Sequence, residues 1–369
     1  MGADQALRDW LRLTLVAGIG SRTQRKLLAA FGLPEAIFAA SRDALYAVIG
    51  DKAAALLGNA DAAAIELACA WADAPDQHIV TLADADYPRL LLETADPPTL
   101  LYVRGRVELL NRPALAIVGS RNPTAQGERD AQNFAAAFAQ AGLTIVSGLA
   151  LGIDAAAHRG ALSVGGDTVA FLGTGIDRIY PARNLELARE IGARGAIVSE
   201  YPLGTPVSAA NFPRRNRLIS GVSRGVLVVE AALKSGSLIT ARLAAEQGRD
   251  VFAIPGSIHA PQARGCHQLI RDGAKLVECA QDVLDELTVI DSRTPDTDVG
   301  PAPANDTPNE TDSGGQLLAL LGFAPCGLDE LAARSGLAAD ALVAQLLRLE
   351  LDGRVAALPG GLYQRLAGD

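Results

Sequence analysis

The sequence is poor in the residues that build disulfide frameworks and metal sites. Its four cysteines, Cys69, Cys266, Cys279 and Cys326, include no CxxC pair, and its four histidines include no pair at metal-ligand spacing. Scattered cysteines of this kind are typical of a reducing compartment. We therefore expect no disulfide framework, no metal site and a cytoplasmic protein.

Long apolar runs and cofactor motifs are missing as well. The longest apolar runs are far too short to span a bilayer, and the start MGADQALRDW has no basic segment followed by an apolar one. We expect no signal peptide and no membrane partner. No P-loop GxxxxGK[ST] occurs, and GTGID at 173–177 is only part of a dinucleotide fingerprint. We therefore predict that the protein binds no NAD and no other cofactor.

Positive charge is scarce overall but unevenly distributed. The formal net charge is −9. Between Pro113 and Ala274, however, 16 lysines and arginines face 12 acids, which gives +4 and leaves −13 for the remainder. The central part of the chain is therefore locally basic, which is modest support for a nucleic-acid ligand.

The pattern along the 369 residues predicts more than one domain. Residues 1–75 are typical of helices. Residues 76–112 form a connecting segment in which Pro97-Pro98 precedes TLLYVRG, a predicted edge strand. Residues 113–288 alternate strands and helices, which is typical of a parallel sheet with crossover helices.

Residues 289–369 divide into a linker and a small domain. Residues 289–314 are rich in proline and acids and nearly free of apolar residues, so we expect a disordered acidic linker. Residues 315–369 predict a helix, a turn, a second helix and a two-strand wing around Pro359, which is the pattern of a winged helix. The second helix carries little positive charge, so we expect a protein contact, or packing on its own chain, rather than reading of a DNA groove.

Strands and helices of the central part can be placed approximately. The predicted strands lie near 115–119, 143–147, 168–172, 196–199, 225–230 and 250–254. The predicted helices lie near 127–141, 152–164, 184–194, 214–222, 237–248 and 265–272.

The first strand of the central part ends in a turn that suits an anion. IVGSRNPTAQG at 117–127 reads as an apolar strand, a tight turn with Arg121 and the start of a helix. Backbone N–H groups and the positive end of the helix dipole converge at such a turn. Glycine and serine recur beyond later strands at 146–154, 171–184 and 228–241. Because the carboxyl ends of parallel strands face one crevice, we predict one long phosphate-binding rim.

The segment FPRRNRLIS at 212–220 is the densest basic cluster. Its arginines could follow successive phosphates, with Asn216 on a phosphate or base edge and Phe212 and Tyr180 as stacking rings. The alternative is a solvated basic face with Phe212 in the core. For SGSLITA at 235–241 the choice is between a phosphate cup and an ordinary helix N-cap.

Three further features allow a functional or a structural interpretation. Asp154 and His158 lie four residues apart on a helix and could form a catalytic dyad or buried structural hydrogen bonds. Glu230 could act as a general base or hold a neighbouring turn. The helix–GxG–helix pattern LVAGIGSRTQRKLL could present N–H groups to a phosphate, although a helical bundle packed on its neighbour is the favoured interpretation.

Six motifs in order carry a resemblance to a known family: IVGSR, VSGLALGIDAAAHRGAL, GTGIDRIYPARN, FPRRNRLISG, VVEAALKSGSLITA and GRDVFAIPGS. They closely resemble the DprA/Smf family (DNA processing protein A) over about 113–280. The resemblance implies an α/β fold with an extended Rossmann-like parallel sheet domain. It also implies an N-terminal helical domain, similar to SAM or helix-hairpin-helix domains, and a C-terminal winged-helix domain.

The resemblance also implies a function. Members bind single-stranded DNA, help load the RecA recombinase during natural transformation, commonly form homodimers through the Rossmann-like domain and are not known as catalysts. The residues it implicates in DNA binding are Gly119, Ser120, Arg121, Gly148, Gly173, Arg183, Asn211, Arg214, Arg215, Asn216, Arg217, Ser235, Gly236, Ser237 and Thr240. A basic residue late in the domain completes the set, either Arg264 or, as we expect, Lys275.

The residues themselves favour the same ligand. Several backbone cups joined by arginines suit a chain of phosphates, and a single strand, unlike a stiff duplex, can enter a pocketed crevice. The alternative is a Rossmann-like nucleotide-processing enzyme similar to phosphoribohydrolases. That family has a catalytic glutamate close after its phosphate loop, whereas 235–245 contains no acid. An adaptor that acts through protein contacts is compatible with the first function.

Overall fold

The computed structural model combines a helical N-terminal part, a nine-stranded mixed sheet covered by helices, and a small C-terminal winged helix. The residues it describes are 2–58, 61–291, 317–318, 320–321, 325–358 and 360–366. The domain limits stated above stay predictions.

The strands are short and mostly apolar. Their bounds are β1 Gln77–Thr81, β2 Leu100–Gly105, β3 Ala114–Val118, β4 Thr144–Ser147, β5 Thr168–Phe171, β6 Ala196–Ser199, β7 Gly225–Val228, β8 Asp250–Ala253, β9 Lys275–Leu276, β10 Cys326–Gly327, β11 Val355–Leu358 and β12 Leu362–Arg365. The predicted strands of the central part correspond to β3 to β8.

The helices alternate with the strands of the central part. Their bounds are α1 Gly2–Leu15, α2 Ser21–Phe31, α3 Pro34–Ala39, α4 Arg42–Ile49, α5 Ala53–Leu57, α6 Ala62–Ala72, α7 Arg89–Leu92, α8 Ala125–Gln140, α9 Ile153–Ser163, α10 Leu185–Arg194, α11 Asn211–Gly221, α12 Ser237–Glu246, α13 Arg264–Arg271, α14 Ala280–Asp291, α15 Leu328–Ser335 and α16 Ala339–Leu351. The six predicted central helices correspond to α8 to α13.

The large sheet has the order β1-β2-β6-β5-β4-β3-β7-β8-β9. The seven strands β3 to β9 run parallel to one another. At one edge, β2 pairs antiparallel with β6, and β1 pairs antiparallel with β2. The chain builds outward from β3 to β6 and then crosses to β7 on the other side of β3. The strand order therefore reverses between β3 and β7, which is where ligands bind in open α/β sheets.

The prediction that TLLYVRG is an edge strand is wrong. The strand β2 pairs with β6 on one side and with β1 on the other, and most of its residues are buried. The strand at this edge of the sheet is β1, whose sequence QHIVT is short and partly exposed. Because antiparallel pairing to β6 needs no crossover helix, the helix–strand alternation used to find the parallel strands gave no signal for β2.

Successive residues of β3 point to opposite faces of the sheet, as the period of a strand requires. Ala116 and Val118 join a core cluster that includes Leu218 of α11, while Leu115 and Ile117 join a second cluster under α8 and α9. All five residues of β3 are buried. Such continuous burial is the reason the central strands read as uninterrupted apolar runs.

The helical N-terminal part packs against the sheet domain through polar contacts at the turn between α1 and α2. The buried side-chain amide of Gln24 donates to the carbonyl of Ile19 at 2.9 Å and accepts from the hydroxyl of Thr99. Arg25 donates to the carbonyl of Ala95 at 2.8 Å. These contacts support the interpretation of this part as a bundle that packs on its neighbour.

The same part also contains two apolar helical segments that follow one another in the chain. Within the ranges that the structure describes, no single helix is long and apolar enough to cross a membrane. The bent pair Arg42–Leu57 and Ala62–Ala72, with an angle of 89°, reaches the required length and composition only together.

The C-terminal part has the predicted winged-helix order. Helices α15 and α16 are followed by the hairpin β11–β12, and β10 completes a three-stranded sheet. This part packs against its own chain at α8, where Arg129 donates to the carbonyl of Gly353 at 3.4 Å. The predicted acidic linker begins inside α14, which continues to Asp291, and the rest of it lies outside the described residues.

Helices α8 and α9 approach closely at Gly160. A Cβ at this position would lie 2.2 Å from the carbonyl oxygen of Gln132 and 2.8 Å from its Cα. We expect Gly160→Ala to lower the free energy of unfolding by about 1–3 kcal/mol, because backbone must move to admit the methyl group. Urea unfolding measures this change.

The matched control is Gly192→Ala in α10, where the nearest atom to the added Cβ would be 3.7 Å away. We expect this variant to be about 0.5–1 kcal/mol more stable, because alanine restricts the unfolded chain and favours the helix. Equal effects of the two substitutions would contradict the close packing of α8 on α9.

Candidate nucleic-acid interface

A crevice of about 690 Å³ opens beyond the carboxyl ends of β3 and β7. We call this space the crevice, and its walls come from the stretches 118–121, 212–219 and 232–240. Because β3 and β7 are neighbours although three strands lie between them in the chain, the crevice sits where the strand order reverses.

The first turn places Arg121 at the crevice. The hydroxyl oxygen of Ser120 accepts from the backbone N–H of Asn122 at 3.1 Å. The backbone carbonyl of Ser120 accepts from the backbone N–H of Ile153, also at 3.1 Å. A Cβ at Gly119 would lie 2.6 Å from the side chain of Ile153, so only glycine fits there. The turn is therefore held by backbone bonds, and the side chain of Arg121 is exposed.

Glu230 holds this turn from behind. Its carboxylate accepts from the backbone nitrogen of Thr124 at 2.9 Å and from the Thr124 hydroxyl. The same hydroxyl oxygen accepts from the nitrogen of Gly127 at 3.0 Å and so caps α8. Burial raises the pKa of Glu230. These contacts support the interpretation that Glu230 fixes a neighbouring turn.

The second wall is the start of α12. The hydroxyl oxygens of Ser235 and Ser237 lie 2.7 Å apart, and that of Ser235 accepts from the nitrogen of Ser237 at 3.3 Å. Asn216 donates to the carbonyl of Gly236 at 3.3 Å and ties this cup to α11. The N-cap residue of α12 is Gly236, which has no side-chain cap, so neither serine is an ordinary N-cap; both serines and Thr240 line the crevice.

The floor between the walls is a buried arginine. The guanidinium of Arg215 donates to the carbonyl of Gly148 at 2.6 Å and to that of Phe171. Its exposed fraction is 4%. Burial lowers the pKa of Arg215 to about 10, while the carboxylate of Asp154 acts in the opposite direction. The group is therefore a fixed positive charge beneath the crevice rather than a mobile surface arginine.

Phe212 forms the aromatic side of the crevice. The guanidinium of Arg121 lies 5.7 Å from its ring centre and that of Arg215 lies 6.0 Å from it. The ring of Tyr180, which is 45% exposed, lies 5.7 Å away at 44°. These two rings and the two guanidinium groups border a small side pocket of about 70 Å³.

Comparison with known proteins identifies the family. The family model of DNA recombination-mediator protein A matches residues 78–288, which is more than half of the chain. The chain belongs to this family. The DprA winged helix domain matches residues 301–361. The resemblance to the DprA/Smf family is therefore confirmed, together with the α/β class of the fold and its winged helix.

Individual relatives agree with this assignment. Protein Smf of Escherichia coli is 46% identical over 308 residues, which cover 82% of this chain and 81% of the relative. DNA processing protein DprA of Streptococcus pneumoniae is 48% identical over 206 residues, covering 56% and 73%. The X-ray structure of the pneumococcal protein superimposes with a TM-score of 0.68 at 38% identity, covering 75% of this chain and 97% of the other.

A second solved structure in the family concerns single-stranded DNA binding. DNA processing protein A from Helicobacter pylori, described for its single-stranded DNA binding mode, superimposes with a TM-score of 0.53 at 32% identity. The match covers 58% of this chain and 97% of the other.

In this member of the recombination-mediator family, the three predicted arginines of α11 do not act as one row. Arg215 faces the crevice, whereas Arg217 donates to Glu200 and to the carbonyl of Asp96. Arg214, which is half exposed, lies with its Nε 3.4 Å from the same Glu200. The structure does not place these three arginines in one row, because 214 and 217 share one helix face and 215 occupies another; their contacts with phosphates stay a prediction.

The other predicted residues lie at varying distances from the crevice. Gly148 sits under Arg215, and Asn211 donates to the carbonyl of Gly173, which abuts Phe212. Arg183 is exposed in a short 3₁₀ helix and does not line the crevice. Lys275 is far from it on the edge strand β9, where it pairs with Glu286.

Asp154 and His158 do not form a dyad. The carboxylate of Asp154 accepts from the nitrogens of Gly148 at 3.1 Å and Ala150 at 3.3 Å, so it shapes the second turn. The Nδ1 of His158 lies 2.7 Å from the hydroxyl of Thr168. The structural interpretation is therefore the right one, although each side chain has its own partners.

Lys234 lies just before the SGSLITA segment and is a crevice residue that this motif does not include. Its side chain is exposed and lines the crevice next to the serine cup. The sequence does offer one indication that Lys234 belongs to the site, because it directly precedes Ser235 in a turn predicted to bind phosphate. No group of three or more potential metal ligands occurs among the described residues.

The pH dependence of stability offers a test of the buried layer beneath the crevice. Burial lowers the pKa of His158 from 6.5 to about 3. Between these values the unfolded chain binds a proton that the folded chain does not, so stability falls as the pH is lowered, by about 1.4 kcal/mol per pH unit. When the pH is lowered from 7 to 5, we expect the free energy of unfolding of His158→Asn to fall by about 2 kcal/mol less than that of the wild type.

Urea unfolding at the two pH values measures this difference. The control is His259→Gln at an exposed loop position, which should follow the wild type. If His158→Asn and the wild type lost stability in parallel, the buried neutral state of His158 would be refuted.

Proposed function

We propose that this protein binds incoming single-stranded DNA in the crevice, without sequence specificity, and helps load the RecA recombinase during natural transformation. The observation that carries the DNA part is the position of Arg121, Lys234 and the serine cup around one crevice at the reversal of strand order. The single-stranded DNA binding described for the Helicobacter pylori protein supports the ligand class.

The geometry favours a nucleic-acid strand that makes few contacts at each nucleotide. Arg121 and Lys234 approach the crevice from different turns and are both exposed, so two phosphates can be neutralised at separate points. The rings of Phe212 and Tyr180 give stacking surfaces, which accept any base because every base has a flat face. Such contacts produce affinity with little sequence preference.

We further propose that the protein acts as a mediator and not as an enzyme. Asp154 is the acid that lines the crevice, and its carboxylate is engaged by two backbone N–H groups. A phosphoribohydrolase-like activity remains the alternative function. Release of base from AMP or GMP in the presence of the protein would favour that alternative.

The partner proposals rest on the family. We propose a homodimer formed through the sheet domain, where the edge strand β9 exposes Leu276 and the loop after β8 exposes Ile258. Sedimentation velocity measures the oligomeric state, and a monomer at all concentrations would exclude it. We propose that the complex works in the cytoplasm, where RecA and internalised strands meet.

The RecA proposal predicts a gain in recombinase loading. Strands coated with single-strand binding protein should support RecA-dependent strand exchange faster when this protein is added. The measurement is joint-molecule formation over time, with this protein omitted as control. An unchanged rate at saturating protein would exclude the loading role.

The crevice proposal predicts a loss of affinity and of salt dependence on removing its two exposed cations. We expect Arg121→Ala combined with Lys234→Ala to weaken binding to a labelled dT oligomer about tenfold or more at low salt. The slope of log K against log salt should become shallower by about 1.4, because each lost phosphate contact contributes about 0.7. Fluorescence anisotropy at several salt concentrations measures both quantities.

The matched control removes the same charge elsewhere. Arg42→Ala combined with Arg189→Ala changes two exposed arginines of α4 and α10, outside the crevice. This control should retain the affinity and slope of the wild type. Equal losses in both double variants would mean that net charge, and not the crevice, governs binding. Unlabelled AMP should compete poorly with the labelled oligomer. Easy displacement of the oligomer by AMP would instead favour a small-nucleotide site.

A further inference from the structure

A second cavity, of about 200 Å³, lies where the helical N-terminal part meets the sheet domain. We call it the junction pocket. One side is the turn before α2, with Gly20 and Ser21, and the other side is formed by Tyr201, Pro202 and Arg214. Glu200 also lines it. Neither the crevice nor the functions proposed above use this pocket.

Glu200 contributes an unsatisfied acceptor to the junction pocket. Its side chain is 3% exposed. One carboxylate oxygen accepts from Arg217, whereas the other, Oε1, accepts no hydrogen bond from any residue in the described ranges. Oε1 forms an ion pair with the Nε of Arg214 at 3.4 Å. Burial raises the pKa of this carboxyl group, and the side chain of Tyr201 acts on the same group by lowering its pKa. A ligand that donates a hydrogen bond would relieve the cost of the unsatisfied acceptor.

The opposite side of the junction pocket favours an anion. Helix α2 begins at Ser21, and its N-cap residue Gly20 has no side chain to satisfy the first N–H groups. The N-terminus of an 11-residue helix carries a partial positive charge and N–H donors. The carboxylate of Asp96 lies beside it, where it accepts from the hydroxyl of Ser21 at 3.0 Å and pairs with Arg25 at 3.1 Å. A phosphate group is the anion that such a terminus commonly holds.

Arg214 joins the two sides. Its side chain is 49% exposed, and its guanidinium lies 6.0 Å from the ring centre of Tyr201. Only its Nε is used near Glu200, so the terminal nitrogens of the guanidinium retain donor capacity toward a phosphate. The pocket therefore presents donors for an anion and an acceptor for a neutral N–H group within one space.

The chemistry excludes simpler occupants. A free phosphate would leave Oε1 of Glu200 without a hydrogen-bond donor. A cation would meet Arg214 and the positive end of α2. The volume of about 200 Å³ is below the range of about 300–1,000 Å³ that is typical of pockets for larger ligands. It suits a single base with its phosphate at the rim.

Helix α11 connects the junction pocket to the crevice. Phe212, Arg215 and Asn216 face the crevice, while Arg214 of the same helix faces the junction pocket. The loop before α11 also serves both, since Val207 lines the crevice and Pro202 lines the pocket. A strand that leaves the crevice across the start of α11 therefore reaches the junction pocket without crossing another element.

We propose that the junction pocket binds one nucleotide of the same single strand, with the phosphate at the start of α2 and Arg214 and a base N–H group donating to Glu200. This inference rests on the proposed binding of single-stranded DNA in the crevice. It makes the helical N-terminal part a direct contributor to DNA binding. The exocyclic amino group of cytosine is a donor that carboxylates accept in other complexes.

The test is a length series of labelled dC oligomers, from 4 to about 20 nucleotides, measured by fluorescence anisotropy on the full chain. The wild type should gain affinity in a step when the oligomer becomes long enough to leave the crevice. Arg214→Ala should bind short oligomers like the wild type and lose this step, which amounts to about tenfold for long oligomers. Arg189→Ala, an exposed arginine on α10, is the control and should retain the step.

The outcomes separate this inference from the proposed function. If Arg214→Ala weakens binding equally at all lengths, or at none, the junction pocket is not a separate nucleotide site. If the Arg121 and Lys234 double variant binds short oligomers normally, the crevice proposal fails instead. Thermal unfolding of each variant confirms that lost binding is not lost folding.

A second measurement locates the base directly. Photo-crosslinking of an oligomer that carries 5-iodocytosine at successive positions should label Tyr201 from one position only, and Arg214→Ala should abolish that label. Digestion and mass spectrometry identify the labelled peptide. Labels confined to Phe212 and Tyr180 at every position would overturn the inference.

Discussion

The buried guanidinium of Arg215 joins the elements that form the crevice. It bonds to the carbonyls of Gly148 and Phe171, which lie at the carboxyl ends of β4 and β5. A buried charge is costly unless it is paired and hydrogen-bonded, and here two carbonyls and the nearby Asp154 compensate it. This contact holds α11 across the strand ends. The direction of every other side chain on α11 follows from it, because an α-helix fixes their relative angles.

The turn that carries Arg121 depends on a comparable arrangement. Glu230 at the end of β7 accepts from the backbone and hydroxyl of Thr124, and Gly127 permits its close approach to α8. The two strands at the reversal of strand order are thereby linked by a hydrogen bond beneath the crevice as well as by the sheet. A phosphate site needs donors held in place before the ligand arrives, because ordering them on binding would cost free energy. The polar residues that face away from the ligand supply that order.

Much of this arrangement could be predicted from the sequence, and the remainder shows what a linear pattern lacks. The central strands were found because β3 and its parallel neighbours are buried on both faces and read as apolar runs. The strand β2 was predicted at an edge, because the sequence TLLYVRG does not indicate that antiparallel strands pair with it on both sides. Lys275 was assigned to DNA by family resemblance alone, and the fold carries it to the far edge of the sheet. The divergence of Arg214, Arg215 and Arg217 was predictable from helical spacing, since about 100° separates successive residues.

The distribution of charge gives the two faces of α11 different roles. Toward the crevice, the Nη1 of Arg215 donates to two carbonyls and its Nε donates to Asn216, so this guanidinium is held in place, whereas Arg121 and Lys234 are exposed cations of the crevice. On the opposite face, Glu200 neutralises Arg217 and approaches Arg214, so this face is less attractive to a bare phosphate and better suited to a base. A basic cluster in sequence thus becomes one face directed at the crevice and one mixed face. On an acidic chain, this division concentrates exposed positive charge at the crevice instead of spreading it over a diffuse surface.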